Sequence, residues 1–461
     1  MTPIDPHLSE RRSFLKMLGG LTAALTTLPA ALAGQTPAPA RVAGAKYMGD
    51  AVAPKLDKVR IAMIGVGARG SGHATQLASI EGTEIVAISD LYEDWAKRSE
   101  QRVQAKGHTP KIYFGQQDLW RTMLTEVKPD MVVIATPWEV HAPMGVAAMK
   151  AGAHAFIETP IAVTLDQMWQ LVNTSEETGR HCMHMENVCY GREELLYLNM
   201  VRQGVIGELL HGEAAYIHDL RGQMKEVERG TGSWRTYHYA RRNGNLYPCH
   251  GLGPVSQYMS IARTEDAFST LVSYSSPSKM RALYAKANFP PDHKWNKETF
   301  IAGDINTSII KTALGRTVMV QWDEQLPRPY SRLNFIQGTK GALAGFPNRL
   351  VIEGTTKTDQ WAQGDEWEKL VAQYEHPLFK RVGELAKKMG GHGGMDFLML
   401  YRIIECLRTG QPLDQNVYEG CFWSSVGPLS EKSVKENGAP LDFPDFTRGN
   451  WKTTKALGIV A

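Results

Sequence analysis

The chain has 461 residues, 43% of them hydrophobic, which is enough for two cored domains and more than one ordinary domain uses. Its 51 Lys and Arg against 48 Asp and Glu leave a formal net charge of +3 with no basic block, so charge points away from nucleic acid and toward a small-molecule ligand. Five cysteines (Cys182, Cys189, Cys249, Cys406 and Cys421) are scattered without a CxxC pair or a His spacing suited to zinc, and so indicate neither a disulfide framework nor a metal site.

The N-terminus reads differently from the rest. Ser9-Glu10-Arg11-Arg12-Ser13-Phe14-Leu15-Lys16 precedes an apolar stretch from Met17 to Leu32, and Ala31-Leu32-Ala33 offers small residues for cleavage. This is the pattern of a twin-arginine export signal, expected over residues 1–33; the other reading is an amphipathic first helix with two incidental arginines. The stretch is too short and too rich in Ala, Gly and Thr for a membrane span, so no stable membrane anchor is expected after cleavage. Residues 34–57, with the Pro- and Ala-rich run Gln35 to Arg41, are then expected as a linker in a periplasmic protein.

From Lys58 the pattern becomes βαβ. Val59 to Gly65 reads as a buried strand, His73 to Ile80 as its helix, and Glu84 to Ser89 as a second strand. Met131 to Thr136 and Ala153 to Ile157 follow as strands around a helix from Val146 to Ala151. Strands alternating with helices predict an α/β Rossmann domain over residues 58–183, with its ligand at the C-terminal ends of a parallel sheet. Beyond Asn187 the runs Glu208 to His218, Ala267 to Ser273, Ile301 to Thr312 and Arg316 to Asp323 alternate as strands between turn-rich segments. They predict an α+β domain over residues 184–461, built on a large, mainly antiparallel sheet with helices such as Phe397 to Leu407 packed on it.

Ile61 to Gly72, reading I-A-M-I-G-V-G-A-R-G-S-G, places Gly65, Gly67 and Gly70 at G-x-G-x-x-G spacing between a strand and a helix. Gly65 permits the tight turn and Gly67 the approach of a pyrophosphate. Gly70 allows close helix packing, and Ala68 and Arg69 lie at the helix N-terminus that receives the phosphates. Asp90, at the end of the next strand, suits ribose hydroxyls and favours NAD over NADP. The bland alternative is a glycine-rich turn with a strand-end aspartate as a cap. Two further strand ends join the site: Trp138-Glu139-Val140-His141 after Thr136-Pro137, and Glu158-Thr159-Pro160 after Ile157. His141 alone could equally cap a helix or sit in a core, Trp138 could pack, and Glu158 could merely end a strand before proline.

With Glu186-Asn187-Val188-Cys189-Tyr190 and the run Asn245-Leu246-Tyr247-Pro248-Cys249-His250-Gly251-Leu252-Gly253-Pro254, these segments resemble the Gfo/Idh/MocA oxidoreductases and, more closely, their glycoside hydrolase family 109 branch, glycosidases with bound NAD. The resemblance covers nearly all of the mature chain. One departure from the wider family matters: its oxidoreductases usually carry Glu-Lys-Pro where this chain has Glu158-Thr159-Pro160, and a threonine cannot replace that lysine as a base. Tyr247 and His250 are the candidates instead. Their three-residue spacing, if helical, puts both on one face, with Pro248 tolerated in a first turn, and imidazole and phenol suit proton movement. A Tyr-His pair with satisfied hydrogen bonds at a domain seam is the alternative.

What the resemblance implies is a cycle of oxidation at C3 of a sugar, elimination across C1 and C2, addition of water and reduction, without net redox change. NAD stays bound and is recycled, a small glycoside or oligosaccharide is the substrate, and the family's best-known activity is release of α-N-acetylgalactosamine. It also implies sugar contacts at Tyr216, Arg235, Tyr247, Pro248, Cys249, His250 and Tyr330, and Asn187 at the nicotinamide side; Tyr216 and Tyr330 singly would also serve as packing. A homo-oligomer is expected through the second domain. Gly390-Gly391-His392-Gly393-Gly394 reads either as a mobile loop at the cleft or as a plain connection. Export favours a self-restoring cycle, because NADH formed outside the cytoplasm has no partner to reoxidise it. An exported sugar oxidoreductase of the glucose-fructose type and a non-catalytic sugar-binding module remain the other readings.

Overall fold

The computed structural model describes residues 38–357 and 359–460, so the expected export signal lies outside the described residues. β1 (Val59–Ile64) passes through Gly65, at φ +81°, into α1 (Ala68–Leu77). Then come β2 (Thr83–Asp90), α2 (Glu93–Gln104), β3 (Lys111–Phe114), α3 (Leu119–Val127), β4 (Met131–Ile134), α4 (His141–Lys150), β5 (His154–Ile157), α5 (Leu165–Thr178) and β6 (Cys182–His184). The six strands form one parallel sheet in the order β3-β2-β1-β4-β5-β6. Helices cover both faces, which is why β4 and β5 are buried along their whole lengths and read as apolar runs rather than alternations. The order reverses between β1 and β4, and that reversal opens the ligand crevice at their C-terminal ends.

Two helices begin earlier than the sequence predicts, at Ala68 rather than His73 and at His141 rather than Val146. In both cases the ligand-facing turn runs straight into the helix, so its polar first turn belongs to the crevice. β3 was not expected: its four residues carry Lys111 and too little apolar signal.

The second sheet contains β7 (Leu209–Ile217), β8 (Phe268–Ser275), β9 (Asn306–Thr312), β10 (Thr317–Asp323), β11 (Phe335–Gly338), β12 (Gly341–Ala344), β13 (Arg349–Ile352) and β14 (Leu441–Asp442). Their order is β13-β12-β11-β7-β10-β9-β8-β14, antiparallel throughout except for the parallel pair β7 and β10. The strand expected from Ile301 starts only at Asn306, because Asp304 turns away to accept the amides of Lys279 and Met280. The short strands β11 to β13 escaped the sequence reading.

Helices α6 (Arg192–Arg202), α7 (Thr231–Arg241), α8 (Cys249–Tyr258), α9 (Met395–Thr409) and α10 (Val417–Lys435) complete the frame of the site. α8 presses on β7 at Gly251, where a Cβ would stand 2.2 Å from the backbone nitrogen of Ala215; only glycine brings His250 and Tyr216 this close together. α9 returns to pack on α1, and α10, started by a capping box of Asn416 and Glu419, packs on α5 and β6. α10 also lies along β8, so the C-terminal helices join the nucleotide side to the second sheet. Residues 46–57, expected within a linker, form no helix or strand but are strapped down: Lys46 N donates to Glu176 O at 3.0 Å, Met48 N to the Tyr418 hydroxyl at 3.0 Å, and Leu56 N to Leu407 O at 3.1 Å. Among the described residues no helix is long and apolar enough to cross a membrane.

Candidate active site

The glycine turn is built as its spacing predicts. A Cβ on Gly65 would stand 2.7 Å from Ala135 O, and one on Gly70 would stand 1.9 Å from Gly65 O, so neither position admits a side chain. No side chain caps α1, leaving its first amides for an anion. At Gly67 the close neighbour is Trp95, 2.8 Å from a would-be Cβ, so this glycine makes room for the α2 indole as well as for a pyrophosphate. Asp90 accepts Val66 N at 2.7 Å and Tyr92 N at 2.9 Å, and burial raises its pKa against those two bonds. Its remaining lone pairs stay available for ribose hydroxyls.

Arg69 organises the second strand end. Its Nε donates to Glu158 Oε1 at 2.8 Å, and its Nη1 and Nη2 donate to Asp396 Oδ2 and Oδ1 at 2.7 and 2.9 Å. Glu158 also receives His73 Nε2 at 2.5 Å, while Asp396 receives Asn187 Nδ2 at 2.7 Å and His392 Nδ1 at 2.9 Å. Burial alone would raise the pKa of Glu158, but Arg69 and His73 outweigh it and hold the carboxylate well below its ordinary range. Asp396 is likewise depressed, burial being outweighed by His392 and Arg69. Sequence reasoning missed His73 and Asp396, since Asp396 lies on α9, far along the chain from every partner but His392.

The residues assigned to the cofactor divide into two groups. Arg69, Glu158, Thr159 and Asn187 stand at the crevice together with Gly65 to Gly70 and Asp90, and the buried Thr159 Oγ1 and Asn187 Oδ1 have no hydrogen-bond partner among the described residues. Such orphaned atoms suit a polar ligand, and with the uncapped helix and the three glycines they fit NAD. His141 does otherwise: its two ring nitrogens lie 2.8 Å from Pro160 O and from Thr136 O, and burial lowers its pKa, so the neutral ring donates its one N–H to one of these carbonyls and turns neither nitrogen to a cofactor. Glu139 points outward to His238, 3.0 Å away, and Val140 is a half-buried packing residue. Trp138 is buried where the two domains meet, stacked at 5.6 Å on Tyr247 with the Arg235 guanidinium 4.7 Å from its ring.

Tyr247 and His250 come together, though not as neighbours on one helical face. Tyr247 lies two residues before α8 and Pro248 is its N-cap, so only His250 is helical; the rings meet edge to face at 4.9 Å. Tyr216 from β7 reaches both, 4.9 Å from Tyr247 and 5.0 Å from His250, and Tyr330 follows at 6.2 Å from Tyr216. Arg235 on α7 lies 4.6 Å over the Tyr247 ring and donates to the buried Glu324 at 2.5 Å. Cys249 does not join this group: its thiol is fully buried beside Ser424 Oγ, 3.6 Å away. The feature that sequence reasoning left unassigned is Glu186, just after β6, whose Oε1 lies 2.7 Å from His250 Nδ1.

Residues 190–453 match the C-terminal domain of glycosyl hydrolase 109, and residues 59–185 match the NAD-binding Rossmann fold of the Gfo/Idh/MocA oxidoreductases. Glycosyl hydrolase family 109 protein 1 of Akkermansia muciniphila is 60% identical over 98% of this chain and 99% of its own, and a family 109 protein of Shewanella baltica is 52% identical over the same shares. The chain belongs to glycosyl hydrolase family 109. Among solved structures, a levoglucosan dehydrogenase in complex with NADH superposes with a TM-score of 0.63 at 16% identity over 84% of this chain and all of its own, and an NAD-binding oxidoreductase from Klebsiella pneumoniae with 0.65 at 16% over 84% and 99%, a likeness of fold.

This family 109 member is therefore a glycoside hydrolase on an NAD-binding Rossmann domain, and its polar groups are distributed accordingly. Where a dehydrogenase of the wider fold would present a lysine, Thr159 presents an uncharged hydroxyl. The wall on β7 and at the start of α8 carries Tyr216, Tyr247 and His250. There burial pushes Tyr247 well above the ordinary phenol value, only partly opposed by Arg235, so it is a proton or hydrogen-bond donor at neutral pH. His250 Nε2 makes no hydrogen bond among the described residues, and its side chain is 14% exposed, which leaves this nitrogen open to the crevice.

Proposed function

We propose that the protein hydrolyses a terminal N-acetylhexosaminide of the α-N-acetylgalactosamine type by oxidation, elimination, addition and reduction, using an NAD that stays bound and is restored in every turnover. The observation that carries this reading is the placement of His250, with a free Nε2, and of Tyr247 across from a strand end that bears Thr159 instead of a lysine. Gly65 to Gly70, Asp90, Glu158, Thr159 and Asn187 would hold NAD, which supplies reversible hydride acceptance at the sugar. The chain's own groups do the rest. His250 Nε2 takes up and returns the proton of a sugar carbon, and Tyr247 donates a hydrogen bond to a substrate oxygen. Arg235, clamped by Glu324 between the rings of Trp138 and Tyr247, presents its fork to a hydroxyl or acetamido oxygen. Tyr216 and the 40% exposed Tyr330 offer ring faces and edges to the sugar's C–H groups.

Retention of the cofactor is supported by the Arg69 bridge, which ties the glycine turn to β5 and to the start of α9. The twin-arginine pattern of residues 1–33 supports export to the periplasm, where such retention would be needed. A homo-oligomer through the second domain completes the proposal. Product analysis tests it: aryl N-acetylhexosaminides of both anomers, given to enzyme purified without added NAD, should release phenol with no net NADH. Formation of a sugar lactone with a polyol would replace this reading by that of an oxidoreductase.

A further inference from the structure

His250 does not stand alone, and its support comes from a part of the chain outside the sugar-facing wall. The carboxylate of Glu186 is 0% exposed and lies 2.7 Å from His250 Nδ1. A carboxylate has no proton to give, so Nδ1 carries the hydrogen and Nε2 is left with a lone pair facing the crevice. Glu186 is itself held at four points: its backbone amide and carbonyl are bonded by the buried side chain of Gln415 at 3.2 and 2.9 Å, the amide also lies 3.0 Å from His184 O, and Oε1 accepts Val188 N at 3.2 Å.

The charge surroundings are equally specific. Among the described residues no Lys or Arg pairs with Glu186; His250 is its single ion-pair partner. The charged groups nearby are Arg235 and Glu158, which act on Tyr247, and Glu158 acts on His184 as well; the groups beside the carboxylate itself stay neutral. Burial drives His184 down to about 4 and Cys249 well up, and both lie with their donor atoms within 4.8 Å of the Glu186 carboxylate. Tyr216 and Tyr247 flank His250 as buried phenols, and His218 lies beyond Tyr216, lowered by burial. The second carboxylate oxygen, Oε2, has no partner among the described residues. A buried negative charge with a single ion-pair partner costs stability, and a partner that becomes positive during turnover offsets that cost.

We propose that Glu186 is the positioning residue for His250, fixing its Nδ1–H tautomer and stabilising the imidazolium formed when Nε2 removes a proton from the sugar. In that step the C–H bond breaks, its electron pair stays on the substrate, an N–H bond forms at Nε2, and the new positive charge lies against Glu186; the proton is later returned. The inference rests on the assignment of His250 to proton transfer, and its test has one arm that needs no turnover. In histidine-selective 15N NMR of the NAD-loaded enzyme at neutral pH, His250 should show a protonated Nδ1 and a bare Nε2. A bare Nδ1 would overturn the proposal.

The second arm is kinetic. Glu186→Gln keeps the shape and an acceptor but removes the charge. It should lower kcat on the order of 10²-fold with KM changed less than about 3-fold, and move the acid limb of the pH–rate profile down by about one pH unit, since the imidazolium loses its partner. Glu186→Asp should keep the limb where it is while losing rate. Wild-type kcat and an unmoved limb in Glu186→Gln would overturn the proposal. So would lost turnover accompanied by lost NAD binding and an unchanged tautomer, because Glu186 would then serve the fold. Should the wild type hydrolyse no glycoside, the function proposed above fails while the NMR arm still decides the tautomer.

Discussion

Asp396→Asn probes the bridge that joins the nucleotide side to the C-terminal helices. Asp396 is 4% exposed and accepts from Arg69 twice, from Asn187 and from His392, at 2.7 to 2.9 Å. An asparagine keeps one acceptor oxygen and turns a donor toward the guanidinium. Breaking a buried ion pair typically costs 3–5 kcal/mol, and because Glu158 still holds the Arg69 Nε, the lower end, about 3 kcal/mol, applies here. For a body of roughly 420 residues, with an unfolding entropy of about 2.1 cal/mol/K per residue, that loss lowers Tm by about 3 °C. Differential scanning calorimetry reads the shift, and the NAD retained through gel filtration reads the bridge directly; both should fall. Lys97→Ala, which removes an exposed i,i+4 partner of Glu93, is the control and should move neither. Unchanged Tm and NAD content in Asp396→Asn would refute the argument that this cluster holds the glycine turn closed.

Acid should act on the same cluster. Glu158 and Asp396 have folded values below their ordinary 4.5 and 3.8, so their stabilisation is complete above those values and is lost as pH falls through the depressed ones; NAD release measured by ultraviolet absorbance of the small-molecule fraction after gel filtration should begin below about pH 4 and be shallower in Asp396→Asn. Tyr247→Phe deletes a hydroxyl that burial keeps protonated; kcat for an aryl glycoside should fall on the order of 10²-fold with KM within about 3-fold, whereas a change confined to KM would make Tyr247 a binding residue only.

The nucleotide half was legible because its signals are local. An apolar strand, three glycines and a strand-end aspartate all lie between Val59 and Asp90, and each acts on its own turn. The edge strand Lys111–Phe114 and the four-residue strands from Phe335 to Ile352 lacked the length for an alternation to stand out. The site was read less evenly. Tyr247 and His250 do stand side by side, yet the carboxylate beside His250, Glu186, is 64 residues away and Asp396 is 327 from Arg69, and no spacing announces contacts made by tertiary folding. His141 and Cys249 show the converse error. Both stand in the right segments, but the chain turns one ring onto two carbonyls and the other side chain into the core. The segment 46–57, short and without periodicity, gave no sign of the backbone bonds that strap it down.

The central claim is that hydrolysis proceeds by removal and return of a sugar proton on a cofactor that is restored each turn. Hydrolysis of an aryl α-N-acetylgalactosaminide in deuterated water, followed by NMR of the released sugar, tests it most directly. The account predicts deuterium at C2, one phenol per sugar, and NAD recovered in its oxidised form. A released sugar that keeps its original hydrogen at C2 would contradict it.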